Sequence, residues 1–386
     1  MIILTMLGAG DYEDVVYSWN GRQSQLSKFS AASLLTWFPD AQVKVLETDE
    51  AREKNRKDYW HAIPSAEPIS IPAGKSDGEL WEIYNTIVEI LPEGEEVVLD
   101  ITHGFRSLST IVLLALAFLR TAKNIRVKHV LYGARDAREN QASPVPIFDL
   151  TPFVRMLDWA NATDLFIKTG DARGISPLLQ ENQKSPLNGV AGGLTALSDA
   201  IFCMRAKEIQ EEAQRLTRLI SQSMTEEWSP HQSPLKLLLE HIEQNTRQIR
   251  APNTLRAQLE QICWLQEHRH YPAAASLARE WLISLRIVLH GGNVFPVVRD
   301  QRVEAEGWLG LEMQKIRNGE AIEAPIWKPA VEVFGSVSDL RNDLMHFGMR
   351  SQPLKPSKIK LAVDKLPAKL REAAETLGVE LGPDEL

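Results

Sequence analysis

The chain has 386 residues, 44% hydrophobic and 24% charged, with a net charge of −8. That length exceeds what a single hydrophobic core organises, so two domains are expected. The acidic balance excludes a broad non-specific grip on nucleic acid, while leaving room for a small basic cleft. The two cysteines, Cys203 and Cys263, stand far apart without a CxxC or Cys/His partner, which points to a reducing compartment and no structural zinc.

Residues 1–7 read as a short first strand, lacking a basic leader and too short for a signal peptide. Gly8-Ala9-Gly10 follows, a backbone able either to turn tightly or to approach a phosphate. The third glycine of a dinucleotide fingerprint is missing, with Glu13 in its place, which argues against an NAD site. A polar loop with Tyr17, Trp19, Asn20, Gly21, Arg22 and Gln23 comes next, and residues 24–38 read as a helix stopped by Pro39. Residues 43–46 form a second strand, 50–60 a charged surface helix or loop, and 69–71 an edge strand fenced by Pro68 and Pro72. Over residues 77–91, Leu80, Ile83, Tyr84, Ile87 and Val88 fall on one helical face. Strands at 125–132 and 147–150 close a region, residues 1–150, whose alternation of strands and helices predicts a Rossmann-like α/β domain with a parallel sheet.

Within it the stretch 95–119 stands out. The apolar run Val97-Val98-Leu99 stops at Asp100, and Thr102-His103-Gly104-Phe105-Arg106-Ser107 leads into an apolar helix over 111–119. In an open α/β sheet such a strand-to-helix junction lies at the carboxyl edge, where ligands bind. Thr102 brings a hydroxyl, His103 an imidazole, Gly104 a close backbone approach and Arg106 a planar fork of donors. The helix N-terminus behind them favours an anion, so the turn suits a phosphate-bearing ligand. Asp100 suits a structural role, holding the turn through backbone N–H groups. Trp19 fits a core position and an adenine-stacking platform equally. The apolar run at 111–119 ends at Arg120, short of the roughly 20 residues a bilayer requires, so a cytoplasmic protein without membrane contact is expected.

From Thr151-Pro152, a helix start with proline at its first position, the pattern turns all-α. Helices are expected at 198–224, 234–248, 254–267, 272–289, 329–347 and 358–377. His268 and His270 lack a third ligand, which leaves no metal site, and Glu280 suits a surface salt bridge. Near the end stands Arg341-Asn342-Asp343-Leu344-Met345-His346-Phe347-Gly348. An imidazole can take the 2′-hydroxyl proton of RNA or protonate the leaving oxygen, and a guanidinium can hold the phosphorane oxygens. The spacing alone is cheap, since Arg56 and His61 repeat it in the other region, where it reads as a decoy. On a helix five positions turn through about 500°, placing Arg341 and His346 roughly 140° apart and about 7.5 Å along the axis. Two such helices across a dyad would gather both copies around one cleft.

Together these residues resemble the CRISPR-associated DxTHG family, on Asp100-Ile101-Thr102-His103-Gly104 with Phe105-Arg106-Ser107, the Gly8-Ala9-Gly10 loop, and Tyr17-Ser18-Trp19-Asn20-Gly21. The carboxyl half resembles a HEPN ribonuclease domain, with Arg341-Asn342 to His346 as its Arg-x4-His motif. The resemblance implies a CARF sensor domain over 1–150 and an all-α HEPN domain with insertions over 151–386. It implies a homodimer, with higher assembly open. Cyclic oligoadenylate, tetra-adenylate favoured, would bind at Gly8, Gly10, Trp19, Asn20, Thr102, His103, Gly104 and Arg106. The ligand would switch on cleavage of single-stranded RNA by Arg341, Asn342 and His346 without metal or cofactor, leaving 2′,3′-cyclic phosphate ends. The other readings are a sensor that binds nucleic acid without cutting it and a sensor that also degrades its own ligand. The first would be supported by a basic helix-turn-helix, and none is visible.

Overall fold

The structure, a computed structural model, describes residues 1–104, 106–180, 187–228, 232–250, 255–295 and 298–381. They divide into two compact units, Met1–Met156 and Leu157–Leu386.

The amino-terminal unit is built on β1 (Ile2–Leu7), β2 (Val15–Trp19), β3 (Arg22–Ser27), α1 (Ser30–Leu34), β4 (Gln42–Glu47), α2 (Asp49–Ala62), β5 (Glu67–Ser70), α3 (Asp77–Ile90), β6 (Glu96–Asp100), α4 (Arg106–Ala122), β7 (Arg126–Gly133) and β8 (Val145–Asp149). The strands form one sheet in the order β3-β2-β8-β7-β6-β1-β4-β5. From β7 to β5 all neighbours are parallel, because each is reached through a helical crossover. Side chains of β1 alternate between two cores. Ile2, Leu4 and Met6 pack with Leu108, Val112, Ala115 and Leu119 of α4, and Ile3 and Leu7 pack with Phe29, Leu34 and Tyr59 on the other face. A sheet covered on both faces explains why β1 and β6 read as continuous apolar runs.

Three expectations are corrected here. Residues 15–27 are neither a polar loop nor a helix but the hairpin β2–β3, whose turn residues Asn20 and Gly21 have φ of 49° and 74°. Two consecutive positive φ angles make the type I′ turn that Asn-Gly favours. Only Ser30–Leu34 of the expected helix at 24–38 is helical. The sheet is also not wholly parallel, since β8 runs antiparallel to β7 and carries β2 beside it.

The carboxyl-terminal unit is helical: α5 (Thr151–Thr169, which begins in the first unit), α6 (Ile175–Leu179), α7 (Leu187–Phe202), α8 (Ala206–Met224), α9 (Leu235–Asn245), α10 (Leu255–Glu267), α11 (Tyr271–Leu289), α12 (Arg299–Arg317), α13 (Lys328–Met345), α14 (Pro356–Asp364) and α15 (Leu366–Thr376). The single helix expected over 198–224 is two, broken at Met204, whose φ is 56°. That over 358–377 is broken at Lys365. Trp264 and Trp281 anchor the core, each indole N–H donating to a backbone carbonyl, of Asn245 and Leu255.

Candidate functional site

Chain order along the sheet places the ligand turn. After β1 the chain moves outward through β4 and β5, then returns to β6 on the other side of β1. The carboxyl ends of β1 and β6 therefore flank a topological switch point, where open α/β sheets leave a crevice. Gly8 to Gly10 rises from one end and Asp100 to Gly104 from the other.

Asp100 organises this corner. It is 1% exposed. One carboxylate oxygen accepts from the Thr5 and Ser30 hydroxyls at 2.8 and 2.6 Å, the other from the Thr102 amide and hydroxyl at 3.1 and 2.6 Å. Thr102 Oγ1 in turn accepts from the Gly133 N–H at 2.9 Å. The imidazole of His103 is likewise engaged internally. Its Nε2 accepts from the Ser30 N–H at 3.2 Å, which sets the other nitrogen as the protonated one, and its ring meets Tyr12 edge-on at 4.5 Å. The Thr102 and His103 side chains thus build the turn, and what they leave for a ligand is backbone.

Gly8 and Gly104 permit the loops to meet. A Cβ on Gly8 would lie 2.6 Å from the His103 carbonyl oxygen, and one on Gly104 would lie 2.4 Å from Met6 Sδ. Asn55 of α2 clamps the first loop, its amide donating to the carbonyls of Gly8 and Gly10 at 2.8 and 2.9 Å. Asn55, Tyr12, Ser30 and Thr5 were missed from sequence. Of these only Tyr12, two residues past Gly10, carried a local signal. Behind the turn α4 begins at Arg106, and its first N–H groups have no intrahelical partner, the arrangement that receives an anion. Phe105 and the Arg106 side chain lie outside the described residues.

Trp19 and Asn20 are not brought to this corner. Because β2 runs antiparallel to β6 and β7, its end points away from the carboxyl edge. Trp19 packs against Trp37, Phe38 and His129, with ring centroids 5.7, 5.6 and 5.0 Å away. Asn20 occupies the hairpin turn.

Two predictions follow from the packing. Gly8→Ala should destabilise the amino-terminal unit by about 1–3 kcal/mol in urea unfolding, since a backbone carbonyl cannot swing aside. Gly10→Ala, whose Cβ would find its nearest neighbour at 3.8 Å, should leave stability unchanged. The second concerns pH. Burial pushes the His103 imidazole below its ordinary value of 6.5, the Arg135 guanidinium adding to this and the Asp100 carboxylate opposing it. Between 6.5 and the lower folded value the unfolded chain binds more protons, so this contribution is complete above pH 6.5 and is lost as the pH falls. His103→Gln should flatten that part of the urea midpoint-against-pH curve; an unaltered slope would remove His103 from the effect.

In the helical unit, α13 buries Val331, Phe334, Val337 and Leu340, leaving Arg341 half-buried and Asn342 and His346 exposed. His346 caps the helix with its N–H donating to the Asn342 carbonyl at 3.1 Å, and Phe347 and Gly348 then turn through φ of 54° and 67°. Asn342 and His346 line an open cleft of about 430 Å³ with Asp339, Met349 and Arg350. Arg341 is not among its lining residues; one of its guanidinium nitrogens donates to Asn342 Oδ1 at 3.3 Å. Asp343 faces inward, 2% exposed, accepting from the Leu354 N–H at 3.1 Å with Arg350 at 3.7 Å. Arg350 is thus a cation of the cleft that the spacing of the motif did not reveal.

The remaining expected features are internal. Arg56 lies 3.6 Å from buried Glu47 and over the Trp60 ring, away from His61's exposed end of α2. His268 stacks on Trp264, and His270 Nε2 bonds the Thr169 carbonyl at 2.7 Å. Among the described residues no group of three potential metal ligands gathers, and no helix is long and apolar enough to cross a membrane.

Comparison with known proteins adds two matches. Residues 2–136 match the family described as CRISPR system endoribonuclease Csx1, CARF domain, and residues 155–251 match CRISPR-associated protein MJ1674, second domain. The CRISPR-associated protein MJ1674 of Methanocaldococcus jannaschii is 30% identical over 165 residues, which make up 42% of this chain and 25% of that protein. The chain thus spans about a quarter of that relative's length. None of these family matches reaches Arg341 or His346. The amino-terminal unit is a CARF-type α/β domain followed by a helical unit, and the chain is similar to CRISPR-associated proteins that carry such a domain.

Proposed function

We propose that the chain is a homodimeric ribonuclease switched on by a cyclic oligoadenylate, with the tetra-adenylate ring favoured. The observation that carries this reading is the meeting of Gly8 to Gly10 with Thr102 to Gly104 at the β1/β6 switch point, ahead of the α4 N-terminus, inside the Csx1-like CARF region. Backbone N–H groups at a helix start suit the phosphodiesters of such a ring. In the helical unit a HEPN-type site would use Arg341, Asn342 and His346. The RNA 2′-oxygen forms a bond to phosphorus as the bond to the 5′-oxygen breaks. One proton leaves the 2′-hydroxyl and one reaches the 5′-oxygen. His346 would make one of these transfers, Arg341 would stabilise the charged phosphorane oxygens, and Asn342 would orient the strand. Products would end in a 2′,3′-cyclic phosphate and a 5′-hydroxyl. Phe347 and Met349, each 88% exposed beside the cleft, offer apolar surface that a second copy would cover.

The test is to incubate labelled RNA with the protein and cyclic tri-, tetra- or hexa-adenylate in the presence of EDTA. Cleavage that requires one ring and survives EDTA is expected. Tight ring binding without any cleavage would retain only a sensor, and cleavage indifferent to all three rings would overturn the switch.

A further inference from the structure

We infer that the helical unit holds a second ligand site, a pocket for a neutral, amine-bearing heteroaromatic ring of nucleobase size. It is a cleft of about 350 Å³ among α8, α10, α11 and α12, formed by residues that do not overlap those at His346. Its walls are mainly apolar, with Ile209, Leu265, Leu277 and Phe295 among them. Two polar atoms interrupt them. Gln258 is 4% exposed and its Oε1 has no hydrogen-bond partner, and the buried Ser276 Oγ has none. Buried polar atoms are ordinarily satisfied, so a lone pair and a hydroxyl facing an apolar cleft mark what a ligand would complete.

The charges on the wall select against an ion. Arg302 clasps both carboxylate oxygens of Glu280 at 2.8 and 2.7 Å and also reaches Glu306 at 2.5 Å, while Arg279 bonds Glu306 as well. Two arginines and two glutamates neutralise one another, and a phosphate or carboxylate would have to break that network. A glutamine amide reads the donor–acceptor edge of an adenine-type base, and a base finds an aromatic face in Phe295. Water would satisfy Gln258 and Ser276 but would leave the apolar walls wet. Nothing in this site depends on ribonuclease activity or on the amino-terminal turn.

Isothermal titration of the full chain with adenine, without RNA or cyclic oligoadenylate, tests the site. Binding of one adenine per chain is expected, weakened about tenfold by Gln258→Leu. Indole, which has the ring but not the amine edge, should bind more weakly and be indifferent to that substitution. If Gln258→Leu fails to fold, Ser276→Ala removes only a hydroxyl and should weaken adenine about threefold. No binding of adenine, or indole binding as tightly, or adenine binding that both variants leave intact would overturn the proposal.

Discussion

His346→Ala is expected to lower ring-activated RNA cleavage by at least about a hundredfold while leaving binding of the cyclic oligoadenylate unchanged. A positioned acid or base contributes typically about 10²–10⁴ in rate. His346 is the imidazole lining the cleft of α13. It is exposed and spends only its backbone N–H on the helix cap, so the variant should fold and melt as the parent does. Arg341→Ala should cost a comparable factor, and Asn342→Ala less, because orienting a strand adds less than charge stabilisation. His61→Ala, the same spacing in α2, should cleave as the parent. The checks are the cleavage rate at saturating ring and the ring's dissociation constant. Equal cleavage by His346→Ala would remove the ribonuclease assignment from α13.

Asp100→Ala is expected to cost the amino-terminal unit about 4 kcal/mol. Each hydrogen bond to a charged group is worth about 1.5–3 kcal/mol, and this carboxylate accepts from the Thr5, Ser30 and Thr102 hydroxyls and from an amide. Deleting it strands buried donors from three segments. For a unit of this size the melting transition should fall by about 10 °C. Asp100→Asn keeps the shape but turns an NH2 toward donors, so most of the loss should remain. Calorimetry of both variants separates acceptor from volume: a mild Asn variant would mean that the carboxylate only fills space. The ring should bind weakly to either variant, because Asp100 sets the turn from which backbone N–H groups reach it.

Local pattern accounts for much of what was legible. The run Val97-Val98-Leu99-Asp100 and the apolar periodicity after Ser107 identify β6 and α4 without any distant partner, since burial on both faces and a strand-to-helix turn are written in adjacent residues. The helix bearing Arg341 and His346 is read in the same way, from Pro329 at its start to Gly348 past its end. The hairpin β2–β3 was missed because its outer strand, Arg22–Ser27, is mostly exposed and lacks an apolar alternation. Asn20-Gly21 was the signal available there.

Composition and periodicity by themselves determined an α/β unit followed by helices, and a polar turn suited to phosphate. Only the tertiary structure decided which groups face a ligand. It gave the side chains of Thr102 and His103 to Asp100, Gly133 and Ser30, and it set Trp19 beside His129 instead of at the turn. The physical reason is strand order. Gly8 and His103 lie far apart in the chain and meet because β6 returns to the flank of β1 opposite β4. A side chain's partners across a sheet depend on which strand comes to lie beside it, and no local window of residues contains that information.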